Sequence, residues 1–498
     1  MLDTFAVGFE QMLNWSTMLY ILAGVCVGIL FGASPGLTTS MGMAFSLPLT
    51  FILEPVTAMA LLVGLYIGGA SGGLITAMLI NIPGTPACVA TTFDGYPMAQ
   101  NGEPGKALGI GIISSFVGGM LSLPILFFAS PYLAKVALQF GPCEYFAVSF
   151  FSLTLIAGLA GKSMLKGLAS GLVGLMLASI GQAPLDATPR FTFGIESFNA
   201  GLQMLCALIG VYAVTELLKY AENNGIIDMS QLKGCHIKGF GVKLSELKDQ
   251  IFNMVRSALI GIGIGILPGI GGGTSNIIAY SVAKNQSKYP EKFGTGIKDG
   301  IVASETANNA VTGGALIPLL TLGIPGDAAT AILLAALMIH GITPGPLLFQ
   351  NNGDLIYGIF AALIIANLFM ICVEFLGMRL FLKLVTIPKY YLLSAVFVLC
   401  AVGAFGQNNR IFDVWSILLF GLVGYFLIKF DFSLTPLVMG FILGPIVETN
   451  LLRGLMFTEG NFWAFFSKPI AAAFLILSLV YLVYVIRKTY LSSKTTTK

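Results

Sequence analysis

A carboxylate, two amides and a hydroxyl recur at helical spacing in the second half of a strongly apolar chain. They lie at i, i+3, i+4 and i+7, and therefore share one face of a helix. They are Glu305, Asn308, Asn309 and Thr312. Such a face is costly against lipid, so it is expected to contact protein or a cavity. Amides can both donate to an anion and accept from a donor. Asn308 and Asn309 are therefore predicted ligand-binding residues, with interhelical hydrogen bonding as the alternative.

Two distant stretches of the chain share one order of helix-breaking residues: Pro-Gly, small hydroxyl residues, a glycine pair, and then Ile-Pro-Gly. The first series contains Pro35-Gly36, Gly72-Gly73 and Ile82-Pro83-Gly84, and the second contains Pro268-Gly269, Gly313-Gly314 and Ile324-Pro325-Gly326. Proline removes a backbone donor and glycine frees the chain to unwind. Unwound backbone within lipid survives only where protein buries it or a wet cavity borders it. Paired breaks in two halves of an apolar chain indicate the substrate site of a transporter.

The residues at these breaks are suited to binding an anion. Half-helix N-termini present unpaired N–H groups, whereas unwound carbonyls favour a small cation. The series contain no basic residue, so N–H groups and hydroxyls would hold the anion. The predicted substrate-binding residues are Gly36, Thr38, Thr39, Ser40, Gly84 and Thr85 in the first series and Gly271, Thr274, Ser275 and Gly326 in the second. A Na⁺ ion is a further possibility at the backbone around Pro35, Pro83, Pro268 and Pro325. For each hydroxyl the alternative is helix packing.

Two acidic residues of the second series are predicted to bind a coupling ion, which could be Na⁺ or H⁺. Glu305 belongs to the polar helix face, and Asp327 directly follows Ile324-Pro325-Gly326. The alternative for Asp327 is an N-terminal helix cap. No other cofactor is expected, since seven scattered cysteines and two histidines suggest neither a disulfide framework nor a zinc site.

The composition excludes a soluble globular protein. The 498 residues are 56% hydrophobic and 10% charged, against about 25% charged residues in a typical soluble domain. Apolar runs near the ~20 residues needed to cross a bilayer number about a dozen. We therefore predict an all-α polytopic membrane protein with about 12 or more helical segments, embedded in a lipid bilayer. No basic patch for nucleic acid is visible.

Charge divides the chain into two halves of opposite orientation. The long polar segment 219–250 contains several lysines and is predicted to be cytoplasmic, whereas no Lys or Arg precedes Lys106. The predicted domains are a first transmembrane repeat at 1–218, a linker at 219–250, a second repeat at 251–450, and an additional C-terminal helix and cytoplasmic tail at 451–498. The N-terminus would then be external. The two repeats would be inverted relative to each other, with broken or re-entrant helices.

Several motifs make the chain resemble the large membrane subunit of the tripartite tricarboxylate transporters, from about Trp15 to Ile446. They are Pro35-Gly36-Leu37, Asn81 to Pro86 (NIPGTP), Asp94 to Ala99 (DGYPMA), Ala303 to Gly314 (ASETANNAVTGG) and Leu322 to Asp327 (LGIPGD). The resemblance implies a permease of the bacterial inner membrane that takes up a carboxylate by using an ion gradient. It also implies a small four-helix membrane subunit and a periplasmic binding protein as partners. The N-terminus would then be periplasmic.

Two other functions stay open from the sequence. A stand-alone secondary transporter of organic anions would have the same helix breaks without partner proteins. An intramembrane transferase would need a catalytic histidine, a metal-binding acidic cluster or an activated nucleophile. His340 stands alone, and Asp94 and Asp299 lie far apart in sequence, so we expect that the chain is not an enzyme.

The predicted orientation can be tested with single cysteines at Thr4 and Ser245 in a cysteine-free background. A membrane-impermeant reagent applied from outside should label the first and not the second, because lysines are retained on the cytoplasmic side. Labelling of both from the same side would remove the argument for inverted repeats.

Overall fold

The computed structural model describes residues 2–159, 163–222, 239–385 and 389–496. Within this part of the chain, eight helices are long and apolar enough to cross a membrane. The predicted fold class, an all-α polytopic membrane protein, is confirmed. Residues 223–238 of the predicted linker lie outside the described residues, as does the end of the predicted tail at residues 497–498.

Most of the helices follow one another with short connections, and the longest connections precede α10 and α12. In the first half they are α1 (Leu2–Met12), α2 (Trp15–Ala33), α3 (Thr39–Thr50), α4 (Pro55–Gly72), α5 (Leu74–Ile80), α6 (Val89–Gln100), α7 (Pro104–Ala137), α8 (Pro142–Leu159), α9 (Met164–Ala178), α10 (Met204–Ile209), α11 (Thr215–Glu222) and α12 (Leu244–Lys248). In the second half they are α13 (Ile251–Ile266), α14 (Gly271–Gln286), α15 (Lys298–Leu322), α16 (Ala328–Ile339), α17 (Leu348–Asn351), α18 (Gly353–Val385), α19 (Lys389–Asn408), α20 (Ile411–Lys429), α21 (Leu434–Phe457) and α22 (Pro469–Thr496). Helices α4, α7, α8 and α22 begin at a proline, which suits a first turn that needs no N–H partner.

Shorter elements connect some of these helices. A π-helical turn at Gly210–Val214 joins α10 to α11, and a 3₁₀ helix at Pro86–Cys88 precedes α6. Strands β1 (Gly181–Gln182) and β2 (Pro189–Arg190) form an antiparallel pair in which Gly181 lies opposite Arg190.

The chain forms two compact units that each combine segments from both halves of the sequence. Unit 1 consists of Met1–Ala134 and Tyr220–Leu399, and unit 2 of Lys135–Lys219 and Cys400–Lys498. Unit 1 contains both series of helix breaks. The repeat and linker boundaries expected from charge stay a prediction. Each compact unit combines segments from both halves of the sequence, so the division into units does not test where one repeat ends and the next begins.

Close packing of α2 on α4 depends on glycine. A Cβ atom built on Gly28 would lie 2.4 Å from the carbonyl oxygen of Leu65, and one built on Gly32 would lie 2.5 Å from that of Gly69. Side chains cannot be accommodated at such distances, so the two backbones touch directly. This type of contact is common between helices in membranes, where no hydrophobic driving force holds helices together.

Helices α13 and α15 make the same type of contact. A Cβ atom on Gly261 would lie 2.3 Å from the carbonyl oxygen of Ala307, and one on Gly265 would lie 2.8 Å from that of Val311. Gly32 and Gly265 occupy the same place in the two series, three residues before the first proline.

The contacts also set the register between the two series. A Cβ atom on Gly72 would lie 2.5 Å from the carbonyl oxygen of Ile29, and one on Gly314 would lie 2.6 Å from that of Ile262. Ile29 and Ile262 each lie six residues before the first proline. Gly72 therefore corresponds to Gly314, one residue later than the pairing of Gly72 with Gly313 in the sequence. The close backbone contact needs a small residue at the position of Gly72 and Gly314. The other glycine of each pair is not needed for this contact, so matching the two glycine pairs by sequence does not fix how the two series align.

Unit 2 contains its own packed helices and a pocket. Helices α8 and α9 both pack against α21, and α22 packs against α8. Arg190 forms an ion pair with Glu448 through both guanidinium NH groups, one of them 3.1 Å from Oε2. The pocket, about 590 Å³ in volume, is lined by this pair together with Asp186 and Leu452.

Two glycines of α13 provide a matched test of helix packing. Gly261→Ala should lower the free energy of unfolding by about 1–3 kcal/mol, because its Cβ would overlap the Ala307 carbonyl. Gly263→Ala should be neutral or stabilising, since nothing lies within 4 Å of its Cβ position. Thermal unfolding of the detergent-purified variants measures both. Equal melting temperatures would contradict the close backbone contact.

Candidate functional site

The first break of each series separates two helices by a left-handed glycine. Gly36, with φ of 83°, lies between α2 and α3, and Gly269, with φ of 77°, lies between α13 and α14. A residue with a side chain rarely adopts this conformation, which explains the glycine after each proline. Thr38 then caps α3 by accepting a hydrogen bond from Met41 N at 3.1 Å.

The second breaks pass close to the helix that precedes the first breaks. A Cβ atom on Gly84 would lie 2.0 Å from the carbonyl oxygen of Gly32, and one on Gly326 would lie 2.6 Å from that of Gly265. The N–H of Gly84 donates to Gly73 O at 3.3 Å. Each Ile-Pro-Gly segment thus lies against its own series, where only a residue without a side chain fits.

A backbone hydrogen bond joins the two breaks of the second series directly. The N–H of Gly269 donates to the carbonyl oxygen of Gly326 at 2.7 Å. The two breaks of the second series therefore lie next to each other in unit 1.

The N-terminus of α14 meets the second breaks of both series. A Cβ atom on Gly271 would lie 3.3 Å from Asp327 Cβ, and one on Gly272 would lie 2.6 Å from Asn308 Oδ1 and 2.9 Å from Ala87 Cβ. Helix α14 also packs against the 3₁₀ helix at Pro86–Cys88. The first N–H groups of a helix have no partner within it. The start of α14 therefore places N–H donors beside polar groups of the second series and beside the segment that follows the second break of the first series.

Asp327 combines two structural roles. It caps α16, because its Oδ1 accepts from Thr330 N at 2.7 Å while Thr330 Oγ1 accepts from Asp327 N at 2.8 Å. Its Oδ2 accepts from the hydroxyl of Tyr66 on α4 at 2.6 Å. The capping alternative is thus realised, and the same carboxyl group also links the second series to the first.

The polar face of α15 is buried, as expected for groups that avoid lipid. Asn308 Nδ2 donates to Ala70 O on α4 at 2.9 Å, so the interhelical alternative is realised for this residue. Asn309 Nδ2 donates to Glu305 O at 3.1 Å, and its buried Oδ1 has no hydrogen-bond partner among the described residues. Thr312 Oγ1 donates to Asn309 O at 2.6 Å. Asn309 therefore keeps an unused acceptor.

Glu305 is surrounded by hydroxyl donors rather than cations. Thr91 Oγ1 donates to its Oε1, and Ser115 Oγ donates to its Oε2 at 3.0 Å. The side chain is fully buried. Such a carboxyl group can hold a proton, and its oxygens can also coordinate a small cation.

The predicted hydroxyls fall into two groups. Ser275 Oγ donates to Gly272 O at 3.0 Å and Thr85 Oγ1 approaches Cys88 Sγ at 3.6 Å, so these two, like Thr38, are engaged within the protein. The other three hydroxyls are half-buried and make no hydrogen bond within the described part of the chain. They are Thr39, Ser40 and Thr274. Only this second group keeps its donors for a ligand.

Sequence reasoning missed two polar side chains of this region. Tyr66 lies in an apolar run of α4. Aromatic residues are common on the lipid-facing side of such helices, so nothing in the sequence indicated that its hydroxyl bonds to Asp327. Glu374 is fully buried on α18, and Ser71 Oγ donates to its Oε2 at 2.9 Å. An acidic residue within a long apolar helix is itself a signal of function, so Glu374 could have been identified.

Two further polar residues hold the second break of the first series in place. Asn276 Nδ2 on α14 donates to the carbonyl oxygen of Ala87. Asp94 Oδ1 on α6 accepts from Gly294 N at 2.8 Å and from Gly296 N at 2.9 Å, and its Oδ2 accepts from the Tyr280 hydroxyl at 2.9 Å. These bonds attach the first series to α14 and to the loop that follows it.

No metal centre built from side chains is found among the described residues, where no group of three or more His, Cys, Asp or Glu residues converges. The predicted Na⁺ position at the unwound backbone relies on carbonyl groups and stays a prediction.

Residues 18–439 match the model of the tripartite tricarboxylate transporter TctA family. The chain is 35% identical over 479 residues to a protein of Agrobacterium vitis described as an uncharacterized 52.8 kDa protein in the TAR-I ttuC' 3' region, which covers 96% of this chain and 95% of that protein. It is 39% identical over 217 residues to an uncharacterized protein in the TAR-II ttuC' 3' region of the same organism, covering 44% of this chain and 90% of that protein. No solved structure matches the chain.

The bond between Tyr66 and Asp327 can be measured by a double-mutant cycle. Tyr66→Phe and Asp327→Asn should each lower the melting temperature. The double variant should lose less free energy of unfolding than the sum of the two single losses. The difference, the coupling free energy, should be about 0.6–1.7 kcal/mol, as for other hydrogen bonds between membrane helices. Unfolding of the two single variants and the double variant gives this coupling free energy. Strictly additive losses would show that the hydroxyl and the carboxyl group do not interact.

Proposed function

This chain belongs to the tripartite tricarboxylate transporter TctA family, and we propose that it is the permease for ion-gradient-driven uptake of a carboxylate. Family membership makes it a membrane transporter of a tricarboxylate transport system, and such a system has several components. The substrate, the coupling ion and the partners belong to the proposal. Membership also supports a transporter over the transferase alternative.

One observation carries the proposal: the first turn of α14 lies against Asn308 and Asp327 of the second series and against the Pro86–Cys88 segment that follows the second break of the first series. Gly272 is next to Asn308, and Gly271 is next to Asp327. Helix N-termini favour anions through their unpaired N–H groups and the helix dipole. The hydroxyls of Thr39, Ser40 and Thr274 supply further donors. A carboxylate bound here would be held by N–H and O–H groups without a lysine or arginine.

Binding an anion near Glu305 and Asp327 is unfavourable while these carboxyl groups are ionised. A coupling Na⁺ or H⁺ that neutralises them would reduce this repulsion, so ion and substrate would bind together. The unused Oδ1 of Asn309 and the carbonyls of the breaks are additional cation ligands. Movement of one set of helices against the other would then open the loaded site to the cytoplasm.

The proposed partners follow from the tripartite family. A periplasmic binding protein would select the carboxylate and deliver it to the permease, and a small four-helix subunit would accompany the permease in the inner membrane. The N-terminus would be periplasmic and the C-terminus cytoplasmic, with the two series as inverted-topology repeats. The matched contacts of Gly32 and Gly265 support two related repeats, since they recur at the same distance from each proline.

Uptake by cells that express the chain tests the proposal. Labelled citrate, malate and acetate represent tri-, di- and monocarboxylates, and each is offered with and without the candidate binding protein. Accumulation should require the binding protein and should collapse when the ion gradients are dissipated. Equal accumulation without the binding protein would favour the stand-alone transporter, and no accumulation of any carboxylate would contradict the proposal.

The polar face of α15 gives a quantitative prediction. Asn308→Ala or Asn309→Ala should raise the half-saturating concentration of carboxylate or ion about tenfold, equivalent to ~1.4 kcal/mol. If these asparagines served only helix packing, the variants would lose stability of ~0.6 kcal/mol and keep the wild-type half-saturation. Uptake normalised to folded protein distinguishes the two.

A matched control is Asn367→Ala on α18. Asn367 is also buried, and its Nδ2 donates within its own helix to Leu363 O at 2.8 Å. This variant should keep the wild-type half-saturation. An equal change in Asn367→Ala and Asn308→Ala would mean that loss of any buried amide has the same effect.

A further inference from the structure

Glu374 is a buried acid that lacks a complete set of hydrogen bonds. Its side chain has no exposed surface. Oε2 accepts one bond, from Ser71 Oγ at 2.9 Å, and Oε1 has no hydrogen-bond partner. No lysine or arginine forms an ion pair with it among the described residues. An ionised carboxylate in this setting would be strongly unfavourable, whereas a protonated one loses little.

A second acid makes ionisation of Glu374 still less favourable. Glu305 on α15 lies one helical turn from Asn308, which donates to Ala70, the residue next to the Ser71 that donates to Glu374. The carboxyl group of Glu305 has more hydrogen-bond donors than that of Glu374, because Thr91 and Ser115 each donate to one of its oxygens. Negative charges on two buried carboxyl groups near each other repel, so ionisation of one disfavours ionisation of the other. Because Glu374 has one hydrogen bond and an unpartnered Oε1, the geometry favours the proton on Glu374.

The helices that pack most extensively against α18 contain no lysine or arginine. Helix α18 packs against α1, α2, α4 and α17. The ionisable residues of these helices and of the 3₁₀ helix at Pro86–Cys88 are Asp3, Glu10, Tyr20, Cys26, Tyr66 and Cys88. Each of them is neutral or acidic, so none can compensate an ionised Glu374. Among the described residues, Arg379 and Lys383 of α18 form no ion pair with Glu374, and Lys106 of α7 pairs with Glu103 and Glu246.

We propose that Glu374 is the site that carries the coupling proton, which deepens the function proposed above and rests on it. A hydronium ion on the external side would give its proton to ionised Glu374, forming the O–H bond at Oε1 and leaving a water molecule. It would leave to cytoplasmic water when the site opens inward, and the carboxylate would be reprotonated from outside in the next cycle. Each cycle thus carries one proton inward and restores the protonated carboxyl group of Glu374 without any other reactant.

The position of Glu374 connects this proton to the helix break. Its partner Ser71 is the second-last residue of α4, two residues before Gly73. The carbonyl oxygen of Gly73 accepts from Gly84 N at 3.3 Å, and Gly84 begins the segment with Thr85. Asn308 donates to Ala70, the residue next to Ser71. Ionisation of Glu374 would therefore act on the backbone that holds two of the predicted substrate residues.

The test compares wild type with Glu374→Gln, which keeps the shape of the protonated side chain and cannot release a proton. In cells containing the complete transport system, wild type should accumulate the labelled carboxylate under a pH gradient, and more slowly as external pH rises. Accumulation by Glu374→Gln should be at least tenfold lower than by wild type, and the remaining uptake should no longer depend on pH. It should still exchange internal for external labelled carboxylate, because exchange needs no net proton movement.

A second measurement needs no transport. Infrared titration of the purified chain should show a protonated-carboxyl C=O band that is absent in Glu374→Gln and present in Glu305→Gln. A band that persists in Glu374→Gln overturns the proposal, as does wild-type pH-driven accumulation by this variant or wild-type accumulation that follows a Na⁺ gradient alone. If wild type takes up no carboxylate, the function proposed above fails, whereas the infrared result still decides whether Glu374 binds a proton.

Discussion

The constraint that governs unit 1 is that unwound backbone must find its hydrogen bonds within the protein. No water is available in the hydrocarbon region, and each unpaired N–H or C=O costs several kcal/mol there. The chain meets this requirement by placing breaks next to each other. Gly269 N bonds to Gly326 O, and Gly84 N bonds to Gly73 O. Because the breaks complete each other's hydrogen bonds, the bonds that shape the candidate site also stabilise the fold.

Close glycine packing makes these bonds possible. With α2 in direct backbone contact with α4, and α13 with α15, the segment after the second break can return to the carbonyl of Gly32 or Gly265. The two series share this framework but differ in chemistry at corresponding positions. Measured from the shared contacts, Tyr66 corresponds to Asn308, Thr85 to Asp327 and Ser71 to Gly313. The second series thus has an acid and an amide where the first series has a hydroxyl and a phenol, on a similar arrangement of helices.

The sequence predicted the positions of the breaks well, because proline and glycine act locally. It predicted the burial of the α15 face for a similar reason, since helical spacing alone puts Glu305, Asn308 and Asn309 together. It did not distinguish free from engaged hydroxyls. Thr39 and Ser275 look alike in sequence, and only the structure shows that Ser275 Oγ donates to Gly272 O. The sequence analysis did not identify Glu374, because no other polar motif surrounds it in the sequence and its hydrogen-bond partner Ser71 is 303 residues away.

The distribution of acids gives the site a further property. Glu305 is on α15, Asp327 caps α16 and Glu374 is on α18, and the hydrogen bonds recorded for these three come from hydroxyl and backbone donors. A carboxylate substrate, as proposed, would add negative charge to a region that already contains three acids, for which no cation partner is found among the described residues. Such a site would favour the substrate only when protons or Na⁺ had neutralised enough of the acids, because like charges repel strongly where water is excluded. Under this proposal, obligatory coupling would follow from electrostatics rather than from a separate gate: the empty site would disfavour the anion, and the ion that removes the repulsion would be the one carried with it.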